Sequence, residues 1–285
     1  MRDKRWVQLA VSTYQKFMED DCLHMAAGVA YYGFFSIFPL LLGLTAILGM
    51  LLEPHLVQER LLEMTSHYLP ASHDLVAANI NATVAARGAL GPIAIVGLLW
   101  SATGIFAAIR RSINRAWGVK KQRHFVKQKL IELGMIASVG GLFILSLLST
   151  ATFQVMRQFQ IPLLGHQPLN SGPLWTVVTF LVPLAFTIGV FLLLYRFLPN
   201  TVVAWGDAFS GAILAGLLFE LAKGVFAWYV QYFATYQLVY HSLAAVIAFL
   251  MWAYVSSVIL LLGATFAAQY ARFYGSLRQR QQTQE

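Results

Sequence analysis

The sequence predicts an all-α integral membrane protein with six transmembrane helices, and three observations carry that prediction. First, 58% of the 285 residues are hydrophobic and only 11% are charged, whereas soluble domains carry roughly 25% charged residues. Second, six apolar stretches approach or exceed the ~20 residues that a spanning helix needs. Third, 16 of the 20 lysines and arginines fall on one side of those spans and three on the other. Such a bias orients a polytopic chain with its basic side in the cytoplasm. Both termini are therefore expected there.

The elements follow in order. Residues 1–25 are mixed in charge and do not resemble a cleavable signal. Val7, Val11, Tyr14 and Met18 recur at helical spacing with Trp6 beside them, which predicts a short amphipathic helix on the membrane surface. The spans are expected over 26–52, 91–110, 133–155, 174–196, 208–233 and 240–271. Pro39 and Pro183 lie inside two of them, where membrane helices tolerate kinks. The last span exceeds the bilayer thickness and has to tilt or project. Between the first two spans, residues 53–90 pattern as an outer-side helical hairpin, with Val57, Leu61, Met64 and Tyr68 on one face and Val76, Ile80 and Val84 on the next. A polar tail, 272–285, closes a single polytopic domain, 1–285.

One span keeps two charges. Glu220 and Lys223 lie within DAFSGAILAGLLFELAKGVFAWYVQYF, residues 207–233, although a charge at bilayer depth costs from ~3 to more than ~10 kcal/mol. Positions 208, 212, 216, 220 and 224 read Ala, Ala, Gly, Glu, Gly, a small-residue stripe suited to close helix approach. Glu220 thus points into the bundle, ~20 Å along the helix from Asp207. Lys223 is within pairing reach, and Gln231 returns to nearly the same azimuth. This polar line suits a substrate path, and it equally suits a clamp that sets helix register. A second cluster, Arg110, Arg111, Asn114 and Arg115, ends the second predicted span. Arginine forks match the phosphates of anionic lipid headgroups, while an orientation signal needs only their charge.

Enzyme chemistry finds little support. Cys22 is the single cysteine, and the seven histidines are scattered without metal-ligand spacing. No GxxxxGK[ST] phosphate loop and no GxSxG elbow occurs. No catalytic residue, metal or cofactor is expected. The +8 charge belongs with membrane lipids and anionic headgroups as partners, and nucleic acid is not expected.

The segments AAGVAYYGFFSIFPLLLGL (26–44), LLWSATGIFAAIRRSINRAWGV (98–119), YRFLPNTVVAWGDAFSGAILAGLLFELAKG (195–224) and YHSLAAVIAFLMWAYVSSVILLLGA (240–264) resemble the YihY/BrkB membrane-protein family over nearly the whole chain. The resemblance implies a six-span helical fold in a bacterial inner membrane, with 53–90 in the periplasm. The family has carried a ribonuclease BN label beside virulence and lipid-export suggestions. Glu220, Lys223 and Asn114 match its pattern. The chain departs from it at Ser210-Gly211, where Pro-Gly is common, at Tyr240-His241, where Tyr-Gly is common, and at Thr265, where a glutamate often follows Gly-Ala. The expected function is therefore transport or flippase-like movement of a lipid or other amphipathic, anionic substrate. The alternative is an envelope scaffold that moves nothing, and a nuclease is disfavoured.

Overall fold

The computed structural model describes residues 2–51, 103–119, 123–158, 173–233 and 241–277. The expected hairpin 53–90 and most of the expected span 91–110 lie outside the described residues. So do the end of the tail and the side chain of Gln231.

Every regular element among the described residues is an α-helix. We number them α1, Arg2–Glu19; α2, Cys22–Leu51; α3, 103–116; α4, Phe125–Gln158; α5, Pro173–Phe197; α6, Trp205–Phe233; and α7, His241–Phe273. The chain divides into two compact units, one made of Met1–Ala30 and Ala108–Glu285, the other of Tyr31–Ala107.

Among the described residues, four helices are long and apolar enough to cross a membrane: α4 over Phe125–Ser146, α5 over Phe180–Phe197, α6 over Trp205–Val230 and α7 over Val246–Phe273. Only 11–28% of their apolar windows is buried within the protein. On α6 the outward row is Phe209, Ile213, Leu217, Leu221 and Val225. Water would penalise so much exposed apolar surface, and lipid does not.

What lies between these helices is small. Gly211 and Ala215 of α6 meet Gly263 and Ala267 of α7. A Cβ added at Gly211 would lie 2.7 Å from Ala267 Cβ, and one added at Gly263 would lie 2.7 Å from Ala215 Cβ. Lipid supplies no hydrophobic drive between helices, so this backbone approach and its dispersion contacts hold the pair. The buried Tyr195 of α5 donates its hydroxyl proton to the Leu260 carbonyl of α7 at 2.8 Å, closing a three-helix core. Ala208, Ala212 and Gly216 of the predicted stripe are buried, and Gly224 at its far end is exposed. The helices are thus tightly packed at the α6 N-terminus and looser beyond Glu220.

α1 and α2 are separate helices rather than one amphipathic segment to residue 25. Asp21 takes φ 53°, a left-handed conformation that aspartate adopts more readily than most residues. Its carbonyl accepts from the Met25 N–H at 3.0 Å, so it both ends α1 and opens α2. α1 has two working faces. Leu9, Thr13 and Phe17 are buried against α7, while the apolar stripe Val7, Val11, Tyr14 and Met18 stays exposed. Trp6 stacks on Tyr274 at 5.3 Å, anchoring the start of α1 beside the end of α7. In the second unit, Gly33 and Gly104 allow α2 and α3 to approach; added Cβ atoms would lie 3.6 Å from Ile105 and 3.7 Å from Tyr32.

Candidate functional site

Among the described residues, two glutamate centres lie in the larger unit. One gathers where α3 ends, α4 and α6 begin and α5 ends. Glu132 of α4 is fully buried, and its carboxylate lies 3.4 Å from Arg110 Nη2, 2.9 Å from Lys129 Nζ and 3.2 Å from the donating Gln128 amide. The Arg110 side chain is itself 10% exposed. Removal of two such charges from water is repaid only when several partners share the carboxylate, and here three do.

Around this pair, side chains tie together backbone that the sequence separates. Asn114 Oδ1 accepts from the Asn200 N–H at 2.7 Å. Arg123 donates to the carbonyls of Phe197, at 3.3 Å, and Pro199. Burial, and then the charge of Arg110, hold the Arg123 guanidinium below its usual value, and it still remains a cation. Asp207 is buried in the first turn of α6, where a carboxylate complements the helix dipole. It accepts from the Ser276 hydroxyl at 2.6 Å, fastening the turn after α7.

The predicted arginine cluster is divided by this packing. Arg110 faces inward to Glu132 and Asn114 braces the 198–200 turn, while Arg111 and Arg115 are exposed. Arg115 Nε is 3.9 Å from Asp20 Oδ1, and Lys16 Nζ is 3.0 Å from the same oxygen.

The second centre is on α6. Lys223 Nζ and Glu220 Oε1 are 2.6 Å apart, with the lysine side chain 40% exposed and the glutamate 14%. Lys223 also lies 5.8 Å from the Phe219 ring centroid, within cation–π range. Phe219 and Phe226 flank Trp252 of α7 at 5.3 and 4.8 Å. Thr187 of α5 joins the pair: its Oγ1 is 3.2 Å from Glu220 Oε1 and 2.9 Å from the Pro183 carbonyl. One hydroxyl proton cannot serve both acceptors at full strength. Shared between the two, that proton ties Glu220 of α6 to α5.

Glu132, Asp20, Asp207 and Thr187 are absent from the residues that sequence reasoning selected. Glu132 carried a local signal, since Gln128 and Lys129 stand four and three residues before it in an apolar run. Asp20 carried one too, four residues after Lys16; Asp207 and Thr187 carried none, because Ser276 and Glu220 are remote from them in sequence. No group of three His, Cys, Asp or Glu side chains converges as a metal site among the described residues.

An integral membrane protein built of helices, with small-residue contacts inside and apolar side chains outside, is the class that this fold defines. The chain belongs to the virulence factor BrkB family, whose model matches residues 13–285. It is 30% identical over 278 residues to a UPF0761 membrane protein of Chromohalobacter salexigens, covering 93% of this chain and 65% of that one. A UPF0761 membrane protein of Ralstonia nicotianae is 36% identical over 174 residues, 61% of this chain and 38% of its own. One from Tolumonas auensis is 30% identical over 283 residues, covering 94% and 90% respectively. The chain spans less than two thirds of the length of the first two. No solved structure matches it.

Proposed function

We propose that this protein moves a lipid or other amphipathic, anionic substrate across or within a bacterial inner membrane, and that Glu220 and Lys223 form its polar station at bilayer depth. The observation that carries the reading is the accessibility of Lys223. A buried clamp has no need of a side chain that is 40% exposed at a depth where every uncovered charge is costly. Thr187 gives the carboxylate a second partner, so the pair can open towards a substrate without stranding a buried polar group. Arg111 and Arg115, exposed at the basic end, attract phosphate-bearing headgroups; Arg110 and Asn114 hold the helices behind them. In this reading the chain has six spans and both termini in the cytoplasm, and it catalyses no covalent chemistry.

The test is flux. Purified protein in proteoliposomes should exchange lipid between leaflets faster than empty vesicles do, and Glu220→Gln should lower that rate at least about tenfold. No flux above empty vesicles across zwitterionic and anionic lipids and amphipathic solutes would sink the reading. A second reading, an envelope scaffold, is favoured by the Thr187–Glu220 bond, which ties α5 to α6 as a clamp would. It predicts that Glu220→Gln lowers thermal stability with no flux to lose.

A further inference from the structure

A cleft of about 500 Å³ opens where α1 gives way to α2, lined by Asp20, Asp21, His24, Met25 and Arg115. Its charges have both signs. Arg115 is 56% exposed by its side chain, and guanidinium forks bind phosphate bidentately. Asp21 is exposed beside it. Asp20 is the unusual member. Its side chain is only 9% exposed, Oδ1 is shared by Lys16 and Arg115, and Oδ2 is buried with no hydrogen-bond partner among the described residues. An unmet buried carboxylate oxygen is rare and calls for nearby positive charge. Two aspartates and one arginine line the cleft, with Lys16 held between Glu19 and Asp20 at its edge, so it offers a phosphate-binding fork and carboxylates side by side. The absence of a converging triad of metal-ligating side chains among the described residues points away from a metal ion.

The position completes the argument. The cleft sits at the end of a helix whose apolar stripe is exposed and whose first turns are basic (Arg2, Lys4 and Arg5), the pattern of a helix lying at the headgroup level. We propose that this cleft binds a zwitterionic ethanolamine-phosphate headgroup. Arg115 takes the phosphate, Asp21 accepts from the primary ammonium, and the ammonium's charge faces the Asp20 carboxylate. Three N–H donors distinguish this group from a quaternary ammonium, which has none. The inference stands apart from transport, because a lipid that binds and is never moved satisfies it.

Native mass spectrometry of the delipidated full chain, titrated with short-chain phosphatidylethanolamine, phosphatidylcholine and phosphatidylglycerol, tests it. Phosphatidylethanolamine should be retained about tenfold more strongly than either of the others, the range expected of one charge-assisted hydrogen bond. Arg115→Gln should weaken that retention about tenfold. Asp21→Asn, which removes the charge and tolerates the left-handed backbone, should erase the preference over phosphatidylcholine. Should Arg115→Gln fail to fold, Arg115→Lys keeps the charge, loses the fork and should weaken retention in the same direction. Equal retention of the three lipids, or unchanged retention in the folded variants, overturns the proposal. Competition by glycerophosphoethanolamine at equal concentration overturns the lipid assignment in favour of a soluble ligand. Flux read in parallel separates this result from the fate of the transport reading.

Discussion

The two glutamate centres share a chemistry and differ in enclosure. Glu132 has no exposed surface and three nitrogen partners drawn from α3 and its own helix. Glu220 has one cation, itself 40% exposed, and a threonine whose proton is divided with Pro183. The first arrangement leaves no alternative partner, so it holds the helix ends together in one geometry. The second can lose its ion pair and still satisfy the carboxyl group. Enclosure therefore separates a fastener from a site that can respond, even when residue types and distances are alike.

The largest effect is expected of Glu132→Ala. It strands Arg110 in a buried position, and removal of one partner of a buried pair costs about 3–5 kcal/mol. A large fall in thermal unfolding temperature in detergent is the expected result; an unchanged temperature would mean that Glu132 is no fastener. Next comes Gly263→Val at the α6–α7 contact. Its Cβ would meet Ala215 Cβ at 2.7 Å and the Gly211 carbonyl oxygen at 3.0 Å, and such overpacking costs about 1–3 kcal/mol. Loss of stability without a change in the Glu220 environment would show that packing at the two halves of α6 is separable. Glu220→Gln should by contrast cost less than Glu132→Ala, because the glutamine oxygen still accepts from Thr187. A loss as large as that of Glu132→Ala would make the two centres equivalent.

The smallest effect concerns Cys22, buried behind the α1–α2 junction, with its Sγ 3.9 Å from Thr265 Oγ1. Burial pushes its thiol up to about 11. A thiol whose folded value lies above its unfolded one stabilises the fold at neutral pH, and that contribution fades as pH rises towards 11. Alkylation of native protein at pH 8 should be at least about tenfold slower than after unfolding. Equal rates would mean that the junction opens readily.

Much of the fold was legible because its signals are local. Long apolar runs and the shortage of charge mark a helical membrane protein whatever the packing, since lipid forces each span to satisfy its own backbone. The Glu220–Lys223 pair was legible for the same reason: three residues apart on a helix, the two side chains meet without help from another element. The stripe at 208, 212 and 216 was legible as an inward face, because small residues in a lipid-facing row would have nothing to do.

The rest depended on segments far apart in the chain. Arg110 belongs to the same short cluster as Arg115, yet one is enclosed by Glu132 of α4 and the other opens onto a cleft beside Asp20. No spacing within IRRSINR distinguishes them. α1 shows one apolar stripe in sequence, and the face that packs is the other, Leu9, Thr13 and Phe17, because α7 lies against it. Asp207 and Ser276, or Asn114 and Asn200, meet only once four helix ends converge. The sequence was enough to mark a helical membrane protein of the BrkB family with a charge pair inside an apolar helix, because hydropathy and helical spacing act within one segment. Only the tertiary structure decided which charges are enclosed and which stay accessible, because desolvation depends on every neighbour that surrounds a group.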